Sequence, residues 1–398
     1  MSEQARTEQE LARYRRALAA LTVVALAVLV ALVVLLIRMW QPKGLDVRAT
    51  RSGGLRWVRS IYGYGPSRAE QLQSPTDVAV GPDGTVWVTD PGRGRVLGFS
   101  RSGALRRIIG SVPATGHARV LVRPEGVGAA ADGSVYVADY GRGIVLRFDR
   151  SNRVTGEWRV PAPMDVAFHE GRIAVSSLYG VAIIERDGSV KTWGKRGRGA
   201  YDFDVAHGIA FGPDGSVFVA DTQNGRVKAY AADGTLRWIA TGVGSKAATA
   251  SAVATVAAGS FEIASGMAVD ASGRVMFCDP FESVLVVLDG RTGRELAKHG
   301  ELGARDGELQ YPSGIAYDAG QDRVVVADTR NGRVQVFEVP GSAPAPRALA
   351  RRSMRFAPLL AVLAAFMVFV LWAWRRRHRG ASSDMQGAAE DIRNEDSC

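Results

Sequence analysis

From Ser74 to Gly110 the chain alternates short apolar runs with polar turns. DVAV and TVWV are joined by GPDG, RVLGF follows the loop DPGRG, and ALRRII follows SRSG. Alternation over four to six residues, bounded by Gly, Pro, Asp and Ser, predicts half-buried antiparallel strands. Four in succession make one blade. The unit returns in the same order at Arg123 (RPEGVGAAADGSVYVADYGRGIVLRFD), Ala162 (APMDVAFHEGRIAVSSLYGVAIIERDG), Ala206 (AHGIAFGPDGSVFVADTQNGRVKAYAADG), Ala264 (ASGMAVDASGRVMFCDP) and Tyr311 (YPSGIAYDAGQDRVVVADTRNGRVQVFEV). The residue closing the second strand is Asp90, Asp139, Ser177, Asp221, Asp279 and Asp328, at intervals of 38 to 58 residues. That period suits propeller blades and is too long for ankyrin or tetratricopeptide units.

The sixth unit runs into PGSAPAP without a fourth strand. An orphan segment, GGLRWVRSIYGYGPSRAEQLQSP, begins at Gly53 and matches the outer strand and following loop of other units, such as DGTLRWIAT at Asp233. Leu55 to Tyr62 is therefore expected to complete blade six, closing the ring and removing its open edges. The chain would enter and leave at adjacent points on one rim, the one carrying the first-to-second and third-to-fourth turns. The opposite, distal rim would carry the second-to-third loops and the crossings between blades.

The phrases VADTQNGRVKAY and VADTRNGRVQVF, each after a Pro- or Gly-led first strand, resemble the NHL-repeat family of β-propellers. The Gly-His and Trp-Asp marks of WD40 blades are absent. The resemblance covers 53–340 and implies an all-β, six-bladed NHL-like propeller with three-plus-one closure by the N-terminal strand. It speaks to fold rather than function, since propellers host many activities. More distantly, the chain is similar to the propeller lactonases and peptidyl-hydroxyglycine lyases.

The flanks change the picture. Ala17 to Ile37 is an apolar run of 21 residues and Phe356 to Trp374 one of 19, each long enough as a helix to cross ~30 Å of hydrocarbon. The first ends in Ile-Arg-Met-Trp rather than a small-residue cleavage site, so it reads as an uncleaved anchor. The order is then a tail (1–16), a first span (17–37), a linker (38–52), the propeller (53–340), a Pro/Ala/Arg linker (341–355), a second span (356–374) and a basic, then disordered, tail (375–398). Two transmembrane α-helices put both termini on one side and the propeller on the other. Flanking charges tie by count on the two sides, and the compact clusters RYRR and RRRHR favour termini in the cytoplasm and the propeller outside. Formal charge is +10, but Lys43 to Glu338 holds 36 Lys plus Arg against 32 Asp plus Glu. Most of the excess lies in the tails, where it points to membrane rather than nucleic acid.

Two sets of candidates emerge. On the distal rim, Arg93, Arg95, Arg142, Arg226, Arg330 and Arg333 recur in the second-to-third loops, with Arg119, Arg123, Lys195, Arg196 and Arg198 in the crossings. Arginine suits carboxylate or phosphate, so the expected partner is another protein or an acidic ligand, and aromatic interleaving for nucleic acid is scarce. The aspartates of these loops are expected to bond their own turns. The second set is the column where first strands begin, Thr76, Glu125, Met164, His207, Ser265 and Ser313, with Asp77 and Asp165 one step on. The lactonase and lyase resemblance implies Ca or Zn at this level, held if at all by Glu125 and His207, in a hydrolase or lyase. A metal needs three or four ligands, and His207 is the column's one histidine; His117, His169 and His299 fall in loops or turns and are expected to be exposed. The main expectation is therefore a non-catalytic binding module without cofactor, a scaffold or sensor subunit of an envelope complex. The insert Gly242 to Ile263 is too polar to span a membrane and reads as a flap or tolerated insertion. Cys278 and Cys398 form no disulfide framework.

Overall fold

The structure, a computed structural model, describes residues 54–110, 121–242, 254–257 and 261–340. Both apolar runs, their linkers, both tails, His117 and Arg119 lie outside these residues. Among the described residues no helix is long and apolar enough to cross a membrane.

Six sheets form, one per repeat, each in simple meander order from an inner to an outer strand. Blade 1 runs Val78–Val80, Val86–Asp90, Arg95–Phe99 and Leu105–Ile109, and every second strand ends on the position read from the sequence. Blade 6 takes its outer strand from Arg56–Ile61, which pairs antiparallel with Arg333–Glu338 from Arg56 opposite Glu338 to Ile61 opposite Val334. Chain entry and exit are consequently side by side: a Cβ on Gly54 would stand 3.2 Å from Pro340 Cγ. They share the rim of the first-to-second turns, where Arg323 pairs with Glu338 at 3.4 Å.

The core is divided among the blade interfaces. Each of six apolar clusters joins one neighbouring pair, including Val325 and Val334 of blade 6 with Val78, Val88 and Leu97 of blade 1. Alternation explains this: inner-blade side chains point to one neighbour or the other, so both faces of each middle strand are buried. One element departs from the repeat. Ala254–Ala257, within the insert, adds a fifth strand parallel to Leu236–Thr241 in blade 4, so that part of the insert is sheet rather than flap.

Candidate functional site

The distal rim is built from a repeated lock. Each crossing ends in an apolar plug, Leu72, Leu121, Val160, Phe203, Phe261 and Leu309, none more than 6% exposed. The N–H after the plug donates to the aspartate closing the second strand: Gln73 to Asp90 (3.3 Å), Val122 to Asp139 (2.9 Å), Asp204 to Asp221 (2.8 Å), Glu262 to Asp279 (2.8 Å) and Gln310 to Asp328 (2.7 Å). These carboxylates thus tie the incoming crossing as well as their own turn, a longer-range role than turn chemistry alone suggests.

In blades 1, 4 and 6 a buried arginine completes the lock. Nε of Arg95, Arg226 and Arg333 lies 2.9, 2.7 and 2.8 Å from Asp90, Asp221 and Asp328. Their other nitrogens cap crossing carbonyls, Arg95 on Ala69 (2.9 Å), Arg226 on Gly199 (2.7 Å) and Arg333 on Arg305 (2.7 Å). Guanidinium is suited to this because its planar fork serves a carboxylate and several carbonyls together. These three arginines are therefore internal and leave the set of rim candidates. A feature the sequence reading missed sits beside them: Lys228, in a strand pattern, lies 3.2 Å from Asp221 and 3.8 Å above the Phe203 ring, and burial pulls its pKa down to about 8.

Arg93, Arg142 and Arg330 do reach the surface. Arg93 stays 3.6 Å from Asp90 and Arg142 is 4.0 Å from Glu157. Arg330 stacks over Tyr311 at 4.8 Å, and Phe281 meets the same tyrosine edge-on at 6.3 Å. Two blades further round the ring from blade 6, Arg123 stacks over Tyr140 at 4.9 Å and pairs through Nε with Glu125. Tyr179 (49% exposed), Phe281 (59%) and Tyr201 (59%) project from the loops and crossings. Among the crossing cations, Arg196 is 3.7 Å from Asp204, while Lys195 and Arg198 are exposed.

The column at the mouth is taken up by holding the ring. Hydroxyls donate to the next blade's carbonyls: Thr76 to Glu125 (3.0 Å), Ser176 to His207 (2.5 Å), Thr222 to Ala264 (2.8 Å), Ser265 to Ser313 (2.9 Å) and Ser313 to Thr76 (2.6 Å). His207 has Nδ1 3.4 Å from Ser265 Oγ. Part of its ring still reaches the mouth, yet the surrounding protein removes enough water to pull its pKa down to about 4, so the ring is neutral near pH 7. Met164 is half-buried. Among the described residues no three His, Cys, Asp or Glu side chains converge, so no third such side chain joins Glu125 and His207 as zinc would require. His169 stacks on Phe211 at 5.4 Å and His299 ends an outer strand half-buried; neither is fully exposed.

One step inward, Asp77 and Asp165 hold positions occupied by Gly126, Gly208, Gly266 and Gly314 in the other blades. Those glycines let neighbouring backbones touch: a Cβ on Gly314 would sit 2.6 Å from Asp77 Cα. Each aspartate pins the next blade, Asp77 accepting from Val127 N (2.8 Å) and Asp165 from Ile209 N (2.9 Å). The two carboxyls also hydrogen-bond each other. Burial first, and then the Asp165 charge, push Asp77 well above the usual carboxylate range; burial lifts Asp165 to about 6. Below the pair a cavity of about 350 Å³ follows the axis toward the other rim, between inner strands contributing Val78, Val127, Val166, Phe168, Ile209 and Tyr317.

The model of the NHL repeat matches residues 72–99, 203–230 and 309–337, the three blades carrying the arginine lock. The chain carries NHL repeats. A segment of 44 residues is 50% identical to the B-box type zinc finger protein ncl-1 of Caenorhabditis elegans, spanning 11% of this chain and 5% of that protein. A gluconolactonase from Xanthomonas campestris superposes with a TM-score of 0.51 at 17% identity, over 72% of this chain and 99% of its own. A streptogramin B lyase does so at 0.50 and 14%, over 72% and 98%. At such identities the likeness is one of fold, a six-bladed propeller.

Proposed function

We propose that this NHL propeller is a partner-binding module held at a membrane by its two flanking apolar runs and displayed outside the cytoplasm, as a scaffold or sensor subunit of an envelope complex. The observation that carries this is the division of labour at the distal end. Hydroxyls of the mouth and the Asp–Arg locks are engaged within the fold, while Tyr179, Phe281, Tyr201, Arg142 and Arg330 face solvent on the loops. Exposed aromatic and arginine side chains are what protein interfaces enrich. The adjacent chain entry and exit suit two helices leaving side by side toward a bilayer. A partner bound distally could then be coupled to that helix pair.

The test is gentle extraction of the full-length chain from its native membranes and identification of what co-purifies. The reading predicts a stoichiometric protein partner that is lost on replacing Phe281 and Arg330 and kept on replacing His207. A chain that emerges alone, with a metal released by His207→Ala, would instead favour the hydrolase or lyase.

A further inference from the structure

Taking the partner-binding reading as its basis, we propose that the distal mouth receives an extended acidic segment of a protein, laid over the mouth from Arg123 of blade 2 to Phe281 of blade 5 and Arg330 of blade 6. Blade 2 faces blade 5 across a six-membered ring, so the Arg123–Tyr140 pair stands opposite Phe281, and Tyr311 and Arg330 of blade 6 lie beside that phenylalanine, two blades round from Arg123.

Each station is prepared for a carboxylate. Arg330 is exposed, and among the described residues no carboxylate lies within ion-pair distance of it; its guanidinium is instead oriented by the Tyr311 ring. Tyr311 is held at φ 53°, in the turn that also sets Ala162 (φ 51°) and Val205 (φ 55°) before the first strands of blades 3 and 4, so the repeat itself fixes where its ring starts. Arg123 uses Nε on Glu125, and its side chain is still 59% exposed, so its terminal nitrogens are available. Holding an arginine in place before binding removes part of the entropy cost of the ion pair.

The wall around the mouth has a low side. The loop-tip positions are Gly92, Gly141, Tyr179, Gln223, Phe281 and Arg330 in blade order, so blades 1 and 2 raise no side chain there. An extended chain can enter over that gap and pack its own side chains against Phe281 and Tyr179. The charge on that side is basic too, with Arg93 and Arg142 one residue beyond the two glycines. Nucleic acid fits less well. The faces of Tyr140 and Tyr311 that would stack on bases are covered by guanidinium groups, and few cations are left for phosphates.

The full-length chain in detergent would be titrated with a fluorescent random copolymer of Glu and Tyr, with polylysine and poly(U) at matched salt. The copolymer should bind, more weakly as salt rises. Arg330→Ala should weaken it about tenfold or more and Phe281→Ala several-fold, while Arg186→Ala on the opposite rim should change nothing. Unchanged thermal melting of the Arg330 variant would assign its loss to the site. Absence of copolymer binding, indifference to Arg330→Ala, or tighter binding of poly(U) would each overturn the inference. If the native partner still depended on Phe281 and Arg330 while the copolymer failed, the acidic segment would be wrong and the partner-binding reading would stand. A native partner indifferent to both residues would remove that reading itself.

Discussion

Replacing Asp77 by Asn tests the electrostatics of the ring's centre. Asp77 and Asp165 are buried, hydrogen-bonded to each other, and without an ion-pair partner among the described residues. Both pKa values are raised above the ordinary 3.8, Asp165 to about 6 and Asp77 well up. From about pH 4 upward the folded state therefore holds protons that the unfolded chain has released, and stability falls as pH rises. At about 1.4 kcal/mol per unit, the two-unit rise of Asp165 alone removes about 3 kcal/mol between pH 4 and neutrality. Asparagine at 77 imitates the protonated acid, donating permanently to the Asp165 carboxylate while its oxygen still accepts from Val127 N. It removes one titration and one like charge, so the variant should be more stable than the natural chain at pH 7–8 by about 1–3 kcal/mol, converging with it near pH 4. Surface carboxylates with lowered pKa, such as Asp132 and Asp149, act with the opposite sign but are common to both chains and cancel. The assay is urea unfolding followed by tryptophan fluorescence from pH 4 to 8. A variant no more stable at pH 8, with the natural chain's pH slope, would refute the shared proton.

Arg333→Ala leaves Asp328 buried with only Asn331, Gln335 and backbone donors; unfolding should show a loss of about 3–5 kcal/mol, and limited proteolysis should now cut the crossing 300–311. Gly314→Ala places a Cβ 2.6 Å from Asp77 Cα and 2.7 Å from Thr76 O; because that backbone is fixed by the neighbouring blade, denaturation should report a loss of about 1–3 kcal/mol. Cys278 is fully buried and burial pushes its thiol pKa well up, so peptide mapping after iodoacetamide at pH 8 should find it unmodified in the folded protein and modified in urea.

The strands were legible because period-2 alternation and Gly/Asp turns are local signals, repeated six times. Closure by Arg56–Ile61 was legible for the same reason, as a fourth-strand pattern without its first three. The site was less so. Arg95, Arg226 and Arg333 look like rim charges in sequence because each opens a third strand after a polar loop; only the fold shows the crossing carbonyls that surround them. One signal separates them from Arg93, Arg142 and Arg330: they stand five residues after the aspartate, directly across the antiparallel ladder from it. The aromatic stations escaped notice because Phe281, Tyr311 and Arg330 are distant in sequence and meet only when blades 5 and 6 pack. Asp77 and Asp165 were placed in the right column, but their mutual contact depends on four intervening glycines drawing the inner strands together.

The most direct test of the account places a photo-crosslinking residue at Tyr179 on the distal rim and, separately, at Asp187 on the opposite rim, in the full-length chain within its native membrane. A single discrete protein adduct from position 179 and none from 187 is predicted. An adduct from 187 alone, or no adduct from 179, would contradict a distal binding face.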